Sequence, residues 1–443
     1  MPLISLAMIV KNEEATLVHC LESVKPLVDE MIIVDTGSTD RTIDIARDLG
    51  ARVYQFKWCD DFAAARNESL KYCKGDWVLI LDGDEAIDPL DYEKIKNACS
   101  NPYADAYSLT HRHYFHNPTL VVPNSRIVQN TSKYDEGKNI PFYADASTSR
   151  LARINRRLSF IGSIHETFDQ SVLRNGGTIA ELDAVIHHYG KLFSDREKYK
   201  TEYYFLLARR AAEKTEDKRA QYNLLQQALA AKQWEIAVSA AQASLKSAGD
   251  DNPYVLYGGG RALQELDRHE EAIKYFDKLL RKDPEHALAV LHKGISCKAL
   301  GDVNAARVLV TNAIKLDPIC VQAYVYLANL ELELNNFYTA RKTVLDAVKI
   351  APGKPYLYNL LLKIEMDRNN NRQAGRDAML GLQNCPNGGD GLWHRLAAVY
   401  LLQTGKHEAA KSMLKLGIEA FPDNPDLVRL RKVLFSQEKQ AIS

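Results

Sequence analysis

The chain carries two different spacings of hydrophobic and polar residues, one in each half. In the first hundred residues, short apolar runs rich in β-branched residues alternate with stretches of helical spacing. The predicted strands are Ile4–Val10, Met31–Val34, Arg52–Phe56 and Trp77–Leu81, and the predicted helices between them are Asn12–Val24, Thr39–Leu49 and Phe62–Tyr72. This alternation is typical of parallel strands joined by right-handed crossovers. We therefore predict an α/β domain with a mostly parallel, Rossmann-like sheet.

The pattern becomes less regular from about residue 100. Polar segments rich in Asn and Tyr surround two predicted strands, Ala106–Tyr114 and Ser149–Ile154. Continuous helical spacing follows. We assign residues 1–193 to the α/β domain, residues 194–217 to a helical linker, and residues 218–443 to an all-α domain.

The second half repeats with a period of 34 residues. Prolines and alanines recur at this interval, at Pro284, Pro318, Pro352 and Pro386 and at Ala272, Ala306, Ala340 and Ala374. A helix–turn–helix unit with small residues at fixed offsets resembles tetratricopeptide repeats, which implies an all-α solenoid. A degenerate first unit is predicted over Lys218–Gly249, and a polar C-terminal capping helix over Asn424–Lys439.

Composition bears on the binding partners of the protein and on the cellular compartment in which it folds. The 57 basic and 57 acidic residues cancel, so bulk charge gives no reason to expect nucleic acid or an anionic membrane as partner. The seven cysteines are scattered and odd in number, which favours reduced thiols over a disulfide framework. The apolar stretch Leu3–Val10 lacks the flanks of a signal peptide, and no stretch is long enough to cross a bilayer. We expect a cytoplasmic protein without membrane insertion.

Two acidic motifs follow predicted strands. The first is Asp35–Asp40 and the second is Asp82–Glu85. Open α/β sheets bind ligands at the carboxyl ends of their strands. Two carboxylates on either side of Gly83 are suited to holding a divalent cation against a diphosphate. A surface turn is the alternative for Asp-Gly-Asp alone, but the preceding apolar strand and the first motif favour a site.

The segment Asp82-Gly83-Asp84 reproduces the Asp-x-Asp motif of family 2 glycosyltransferases of the GT-A fold, which the first half of the chain resembles. The resemblance implies that Asp82 and Asp84 bind Mn²⁺ or Mg²⁺ together with a nucleotide sugar. It also implies that Asp35 accepts a hydrogen bond from the pyrimidine ring of the donor. Asn12 and Glu13 match the pair that often borders the nucleoside pocket in this family, although a helix start explains them equally well.

Two further candidates come from the same resemblance. Arg66 lies in the segment Asp60–Asn67, which is similar to one in glycosyltransferases that carry tetratricopeptide repeats, and its guanidinium would bind phosphate or base. A surface salt bridge from Arg66 to Asp60 or Glu68 is the alternative. Several GT-A families complete the metal shell with a late histidine, which makes His188 a candidate ligand. A buried, hydrogen-bonded histidine is the commoner role for such a residue.

The catalytic base is sought in the half of the domain that would face the acceptor. Family 2 enzymes invert, so one group must deprotonate the acceptor opposite the leaving group. Glu166 is the candidate and His165 the second choice; pairing of Glu166 with Arg150 or Arg153 is the structural alternative.

A run of histidines occupies the predicted strand of the same half. His111 and His113 would share a face of that strand. No acidic or thiol group has matching spacing, so we interpret the run as a solvated or acceptor-facing strand.

The resemblance as a whole implies an inverting, metal-dependent transfer from a UDP-sugar to Ser, Thr or Cys of a protein or peptide. Repeats of this kind present a concave surface to extended peptides, and similar bacterial two-domain enzymes glycosylate flagellin or bacteriocin-type peptides. One alternative is transfer to a cell-envelope glycan or lipid, with the repeats serving oligomerisation. The other is a non-catalytic peptide-binding scaffold. The sequence leaves homodimer formation open.

Overall fold

The computed structural model describes residues 2–116, 127–155, 157–192, 197–214, 218–246, 252–386, 388–389 and 391–432. Contacts between residues divide the chain into two compact units, with the boundary between Tyr275 and Phe276. The first unit contains a sheet and a series of helices, and the second contains helices throughout its described part.

Nine strands form the sheet within the described residues. They are β1 (Ile4–Val10), β2 (Glu30–Asp35), β3 (Arg52–Gln55), β4 (Trp77–Ile80), β5 (Glu85–Ile87), β6 (Ala106–Phe115), β7 (Val128–Gln129), β8 (Phe142–Arg153) and β9 (Ile179–His188). The strand order is β3-β2-β1-β4-β8-β6-β9-β5, and β7 pairs with β8. Strands β1 to β4 are parallel to one another, as predicted. Strand β8 runs antiparallel to β4, so the sheet is mixed beyond this point.

The helices account for most of the remaining described residues. They are α1 (Leu17–Val24), α2 (Thr42–Asp48), α3 (Phe62–Leu70), α4 (Tyr92–Ser100), α5 (Asp169–Arg174), α6 (Glu197–Glu213), α7 (Lys218–Ala230), α8 (Trp234–Leu245), α9 (Pro253–Glu265), α10 (His269–Lys282), α11 (Ala287–Ala299), α12 (Val303–Leu316), α13 (Val321–Glu333), α14 (Phe337–Ile350), α15 (Pro355–Asp367), α16 (Asn371–Asn384), α17 (Leu392–Gln403) and α18 (His407–Ala420). No helix in the described ranges is both long and apolar enough to span a bilayer.

Both faces of the parallel strands are buried, because successive side chains of a strand point to opposite faces. Leu6 and Met8 of β1 pack into one hydrophobic core with Leu21 of α1. Ala7, between them, packs into a second core with Ala63 of α3. The continuous apolar runs of the sequence therefore arise from a sheet covered on both sides. This confirms the predicted α/β fold class of the first half.

Two predicted helices start later than expected. Helix α1 begins at Leu17 rather than at Asn12, because Asn12 adopts a left-handed backbone with φ 56°. Helix α2 begins at Thr42 rather than at Thr39, because the Asp40 carboxylate accepts a hydrogen bond from the Thr42 amide at 3.0 Å. In both places a turn separates the strand from the helix, and polar side chains form hydrogen bonds within and between the two turns.

The 34-residue period is also visible in the turns between paired helices. A left-handed residue recurs at this spacing, at Asp267 (φ 56°), Gly301 (φ 91°), Asn335 (φ 59°) and Asn369 (φ 55°). Gly, Asn and Asp are the residue types that adopt this conformation at least cost. Helical pairs on either side of these turns confirm the predicted repeat solenoid.

The boundaries of the predicted all-α domain are only partly tested. Helix α7 begins at Lys218, where the repeats were predicted to begin, but helices α6 to α9 belong to the same compact unit as the sheet. The division at residues 193 and 217 stays a prediction. Residues 425–432 of the predicted capping helix are helical, and the rest of it lies outside the described residues.

Buried ion pairs join consecutive repeat helices in the second unit. Arg341 of α14 donates to Asp377 of α16 at 2.9 Å and lies 3.6 Å from Glu365 of α15. Asp377 is only 3% exposed. One repeat earlier, Arg307 of α12 pairs with the buried Glu331 of α13. The 34-residue period therefore repeats a charged contact as well as small apolar ones.

Replacing Arg341 by Met should loosen helices α14 to α16, because Asp377 would lose its guanidinium partner while remaining buried. Removing one member of a buried pair costs about 3–5 kcal/mol. Hydrogen exchange on the full chain should show the opening free energy of these helices reduced by about 3 kcal/mol. The exposed Arg372→Met variant is the control, and equal protection in the two variants would contradict this role for Arg341.

Candidate active site

The first acidic motif closes strand β2. The Asp35 carboxylate is 3% exposed and accepts hydrogen bonds from the backbone amides of Gly37 at 3.0 Å and Ser38 at 3.1 Å. The turn that follows the strand therefore fixes this carboxylate in place. Its predicted contact with a pyrimidine ring stays a prediction.

Asn12 and Glu13 join the first strand to this turn. The Asn12 side-chain oxygen accepts a hydrogen bond from the Thr39 amide at 2.8 Å, and the Glu13 amide donates to the Thr42 hydroxyl at 2.7 Å. The Glu13 side chain also lies against Gly83, where a Cβ atom would come within 3.0 Å of its Cγ. Asn12 thus contacts the first acidic motif and Glu13 contacts the second, where the glycine between Asp82 and Asp84 permits the close approach.

Arg66 connects the second motif to the segment that carries Glu166. Its position is set by helix α3, which the Asp61 side chain caps by accepting from the Ala64 amide at 3.0 Å. The Arg66 side chain is 4% exposed, pairs through Nη2 with Asp82, and donates through Nε to Glu166 at 3.0 Å. The alternative of a surface salt bridge to Asp60 or Glu68 is therefore wrong.

A second guanidinium approaches Asp82 from strand β8. Arg150 Nη2 donates to Asp82 at 3.3 Å and to Glu85 at 2.9 Å. Burial raises the pKa of Glu85 to about 7. Burial has the same tendency at Asp82, but the guanidiniums of Arg66 and Arg150 overcome it and hold the pKa of Asp82 well below its usual range. From the sequence alone, Glu85 had no role of its own within the second motif, and Arg150 was considered only as a partner of Glu166.

Glu166, the predicted base, does not pair with Arg150 or Arg153, the two partners that the sequence suggested. Glu166 pairs with Arg66, whereas Arg150 is engaged by Asp82 and Glu85. Glu166 follows His165, whose backbone is left-handed with φ 50°. The His165 ring nitrogen Nε2 lies 2.9 Å from the Gln227 side chain on α7. The turn thus places Glu166 with the acidic cluster and His165 against the first repeat helix.

His188 reaches the second acidic motif through the pairing of distant strands. Strand β9 pairs with β5, which follows that motif, and His188 Nε2 lies 3.5 Å from Asp84 Oδ2. Burial works against protonation of His188, but the contact with Asp84 raises its pKa. On its other side, His188 Nδ1 lies 2.7 Å from His113 Nδ1 on β6.

The histidines of β6 lie beside His188. His111 and His113 share a face of the strand, as predicted, and each of His111, His113 and His188 places a ring nitrogen within 4.8 Å of the other two. The side chain of His111 is only 12% exposed, so it is not on a solvated strand. The third imidazole, which sequence spacing did not supply, is that of His188 on β9, which lies beside β6 in the sheet.

The predicted linker helix α6 contacts the same region. Tyr203 forms hydrogen bonds with Trp58 Nε1 at 2.6 Å and with Asp60 at 2.5 Å, and Tyr204 packs edge-on against Phe62 at 5.6 Å between ring centroids. Burial, with a contribution from the charge of Asp82, raises the pKa of Tyr204 to about 12. Helix α6 therefore packs against the segment at the start of α3, the helix that carries Arg66.

Both halves of the chain match known protein families. Residues 5–161 match the family described as glycosyl transferase family 2. Tetratricopeptide repeats match at residues 222–287, 257–310 and 293–355, and again at residues 391–424. The chain contains a family 2 glycosyltransferase domain followed by tetratricopeptide repeats.

Several curated proteins are similar to parts of the chain. A TPR repeat-containing protein of Synechococcus elongatus is 35% identical over 193 residues, covering 42% of this chain and 42% of that protein. The SPbeta prophage-derived glycosyltransferase SunS of Bacillus subtilis is 27% identical over 283 residues, covering 62% of this chain and 53% of SunS. An uncharacterized glycosyltransferase of Rickettsia felis is 26% identical over 193 residues, covering 42% of this chain and 67% of that protein. The chain spans less than half the length of the Synechococcus relative and about half that of SunS.

The family 2 match ends at residue 161, before Glu166 and His188. Within the glycosyltransferase domain it includes Asp35, Arg66 and the Asp82–Asp84 motif. Glu166 and His188 lie outside the matched range, and they contact it through Arg66 and Asp84.

The first repeat helix holds the turn that carries Glu166. The Asn223 side chain of α7 donates to the Ile164 carbonyl at 3.0 Å, and Arg219 donates to the His165 carbonyl at 2.6 Å. On the opposite side, Ile161 and Thr167 exchange backbone hydrogen bonds across the turn. The repeats and the glycosyltransferase domain thus meet at the candidate base.

Replacing Asn223 by Leu should loosen this turn, because the buried Ile164 carbonyl would lose its donor. A buried acceptor without a partner costs about 1–3 kcal/mol, so exchange of the Ile161 and Thr167 amides should become about tenfold faster. Hydrogen exchange measured by mass spectrometry tests this. Gln226→Leu on the same helix is the matched control, and unchanged exchange in the Asn223 variant would show that α7 does not hold the turn.

Proposed function

We propose that the protein is an inverting, metal-dependent glycosyltransferase that moves a sugar from a UDP-sugar to a side chain of a protein or peptide. One observation carries this proposal. The Asp82-Gly83-Asp84 motif follows a buried parallel strand of a family 2 domain and is surrounded by Arg66, Arg150 and His188. This gives one small region both carboxylates for a cation and guanidiniums for a diphosphate.

The residues fit a divalent cation, Mn²⁺ or Mg²⁺. Asp84 and His188 offer an oxygen and a nitrogen that lie 3.5 Å apart. Asp82 is also a candidate ligand, although its carboxylate is shared with Arg66 and Arg150. A cation bound there would act as a Lewis acid and neutralise charge on the leaving diphosphate.

Arg66 has spare hydrogen-bonding capacity for the donor. Its Nε and Nη2 atoms are engaged by Glu166 and Asp82, while Nη1 is buried and makes no hydrogen bond to any described residue. A buried guanidinium nitrogen without an acceptor is costly. A phosphate oxygen of the UDP-sugar would supply that acceptor. We therefore assign Arg66 to donor binding, together with Asp35, Asn12 and Glu13 at the nucleoside.

Glu166 is better placed than His165 to act as general base. Glu166 is joined to Asp82 through Arg66, whereas the ring of His165 contacts helix α7. In the proposed reaction, Glu166 accepts the proton of the acceptor hydroxyl or thiol. The acceptor oxygen or sulfur then forms a bond to the anomeric carbon on the face opposite the diphosphate. The bond from that carbon to the diphosphate breaks, and UDP departs with the bonding electrons.

The repeats support a protein or peptide as acceptor. Helical repeats stack into surfaces that bind extended chains, and in this protein helix α7 contacts the turn that carries Glu166. All seven cysteines are free, which supports a reducing compartment such as the cytoplasm.

Hydrolysis of a panel of UDP-sugars with Mn²⁺ or Mg²⁺ tests the donor reaction. The wild type should turn over one donor in a metal-dependent manner, and Asp84→Ala should reduce kcat by about 100-fold or more, because charge on the leaving group would be less well neutralised. Asp48→Ala, on the exposed end of α2, should retain wild-type turnover. Failure to bind or hydrolyse any donor would overturn the proposed function.

Replacing Glu166 by Gln tests the assignment of the base. The amide keeps the shape of the side chain but cannot accept the proton, so transfer to a peptide acceptor should fall about 10²–10⁴-fold while donor affinity is retained. Glu93→Gln on the exposed face of α4 is the control. If Glu166→Gln transfers sugar at the wild-type rate, the base is another residue.

A further inference from the structure

The ring of Tyr204, on helix α6, packs against the start of helix α3. Tyr204 lies outside residues 5–161, the part of the chain that matches the family 2 domain. Its ring meets Phe62 edge-on, with 5.6 Å between the ring centroids and 83° between the ring planes. The Phe62 amide donates to the Ser163 carbonyl at 3.0 Å. Tyr204 therefore packs on a residue that is hydrogen-bonded to the turn carrying Glu166.

Helix α3 places Tyr204 next to Arg66. Phe62 and Arg66 are four residues apart on this helix, so their side chains lie one turn apart on the same face. Arg66 is buried and pairs with Asp82 and Glu166. Tyr204 thus approaches the ion pairs that join the second acidic motif to the candidate base.

Other contacts of α6 hold this position. The Tyr203 hydroxyl accepts a hydrogen bond from Trp58 Nε1 at 2.6 Å and donates to Asp60 at 2.5 Å. Arg210, further along α6, donates to Asp60 at 3.2 Å. The Tyr204 hydroxyl takes no part in these contacts, so its removal should leave the helix in place.

The Tyr204 hydroxyl lies among carboxylates and is a hydrogen-bond donor. Burial raises the pKa of Tyr204 to about 12, and the charges of Asp82, Glu166, Asp84 and Glu13 act in the same direction. A phenol with this pKa keeps its proton at neutral pH, so it donates a hydrogen bond and does not act as a base. Within the described residues the hydroxyl donates to no acceptor, and the side chain is partly exposed. The hydroxyl is therefore available to a ligand.

Inversion places the transferred sugar between the two ends of this region. Under the proposed function, the diphosphate lies at Asp82 and Asp84, and Glu166 deprotonates the acceptor on the opposite face of the anomeric carbon. A side chain that lies near both ends faces the sugar between them. Tyr204 meets this condition, because the carboxylates near its hydroxyl belong to both ends.

We propose that Tyr204 recognises the sugar of the donor by donating a hydrogen bond from its hydroxyl to a hydroxyl oxygen of the transferred sugar. This role rests on the proposed function and extends it, because it assigns part of the sugar specificity to the helix that precedes the repeats. A site that forms a hydrogen bond with a substrate hydroxyl discriminates against analogues that lack this hydroxyl. The role predicts a contact with the sugar and none with UDP, which affinity measurements can separate.

Calorimetric titration of the full-length protein with UDP and with each UDP-sugar of the panel tests this role. Tyr204→Phe keeps the ring on Phe62 and removes one neutral hydrogen bond, so it should bind the preferred UDP-sugar about three- to tenfold more weakly than the wild type does. Its affinity for UDP should equal that of the wild type, which also checks that the variant is folded. Tyr338→Phe, whose side chain is 80% exposed on α14, is the matched control and should change neither affinity.

Deoxy analogues of the same UDP-sugar test for direct contact. Removing the sugar hydroxyl that Tyr204 contacts should weaken binding to the wild type about three- to tenfold and should not weaken binding to Tyr204→Phe any further. Removing any other sugar hydroxyl should affect the two proteins equally. Equal losses in the two proteins for every analogue would overturn the contact.

The outcomes separate this role from the proposed function. Unchanged affinity of Tyr204→Phe for the UDP-sugar, or an equal loss for UDP and the UDP-sugar, would overturn sugar recognition by Tyr204 and leave the transferase standing. If neither UDP nor any UDP-sugar bound to the wild type, the proposed function itself would be overturned, and this role with it.

Discussion

The candidate site depends on the guanidinium of Arg66. This buried group bridges Asp82, which follows strand β4, and Glu166, in the turn closed by Ile161 and Thr167. Two carboxylates from separate segments would repel each other at this separation without a cation between them, and a buried charge is stable only when it is paired. Arg66 therefore holds the second acidic motif and this turn together.

The second constraint is the order of the strands. Strand β9 returns between β6 and β5, so the histidine at its end lies beside the carboxylate that follows β4. The same pairing places His188 opposite His113. A shift of one residue in either register would turn these rings to the other face of the sheet. The contacts among His111, His113 and His188 therefore depend on the backbone pairing of β9 with β6 and β5.

Helices α6 and α7 complete this unit. Helix α6 contacts Trp58 and Asp60 through Tyr203, and helix α7 donates hydrogen bonds to the carbonyl groups of Ile164 and His165, within the turn that carries Glu166. If an acceptor bound to helix α7, a shift of this helix would move the turn that carries Glu166, because the two are joined by hydrogen bonds.

The sequence by itself determined the α/β and repeat architecture and the two acidic motifs, because hydrophobic period and turn residues are local properties of the chain. It also placed His111 and His113 on one face, since side chains of a strand alternate. It did not determine that Arg66 binds Glu166, a hundred residues away, or that His188 meets His113 across 75 residues. Those partners were decided by the tertiary structure, because strand order and the packing of α3 and α7 select among charged and polar groups that local spacing cannot distinguish.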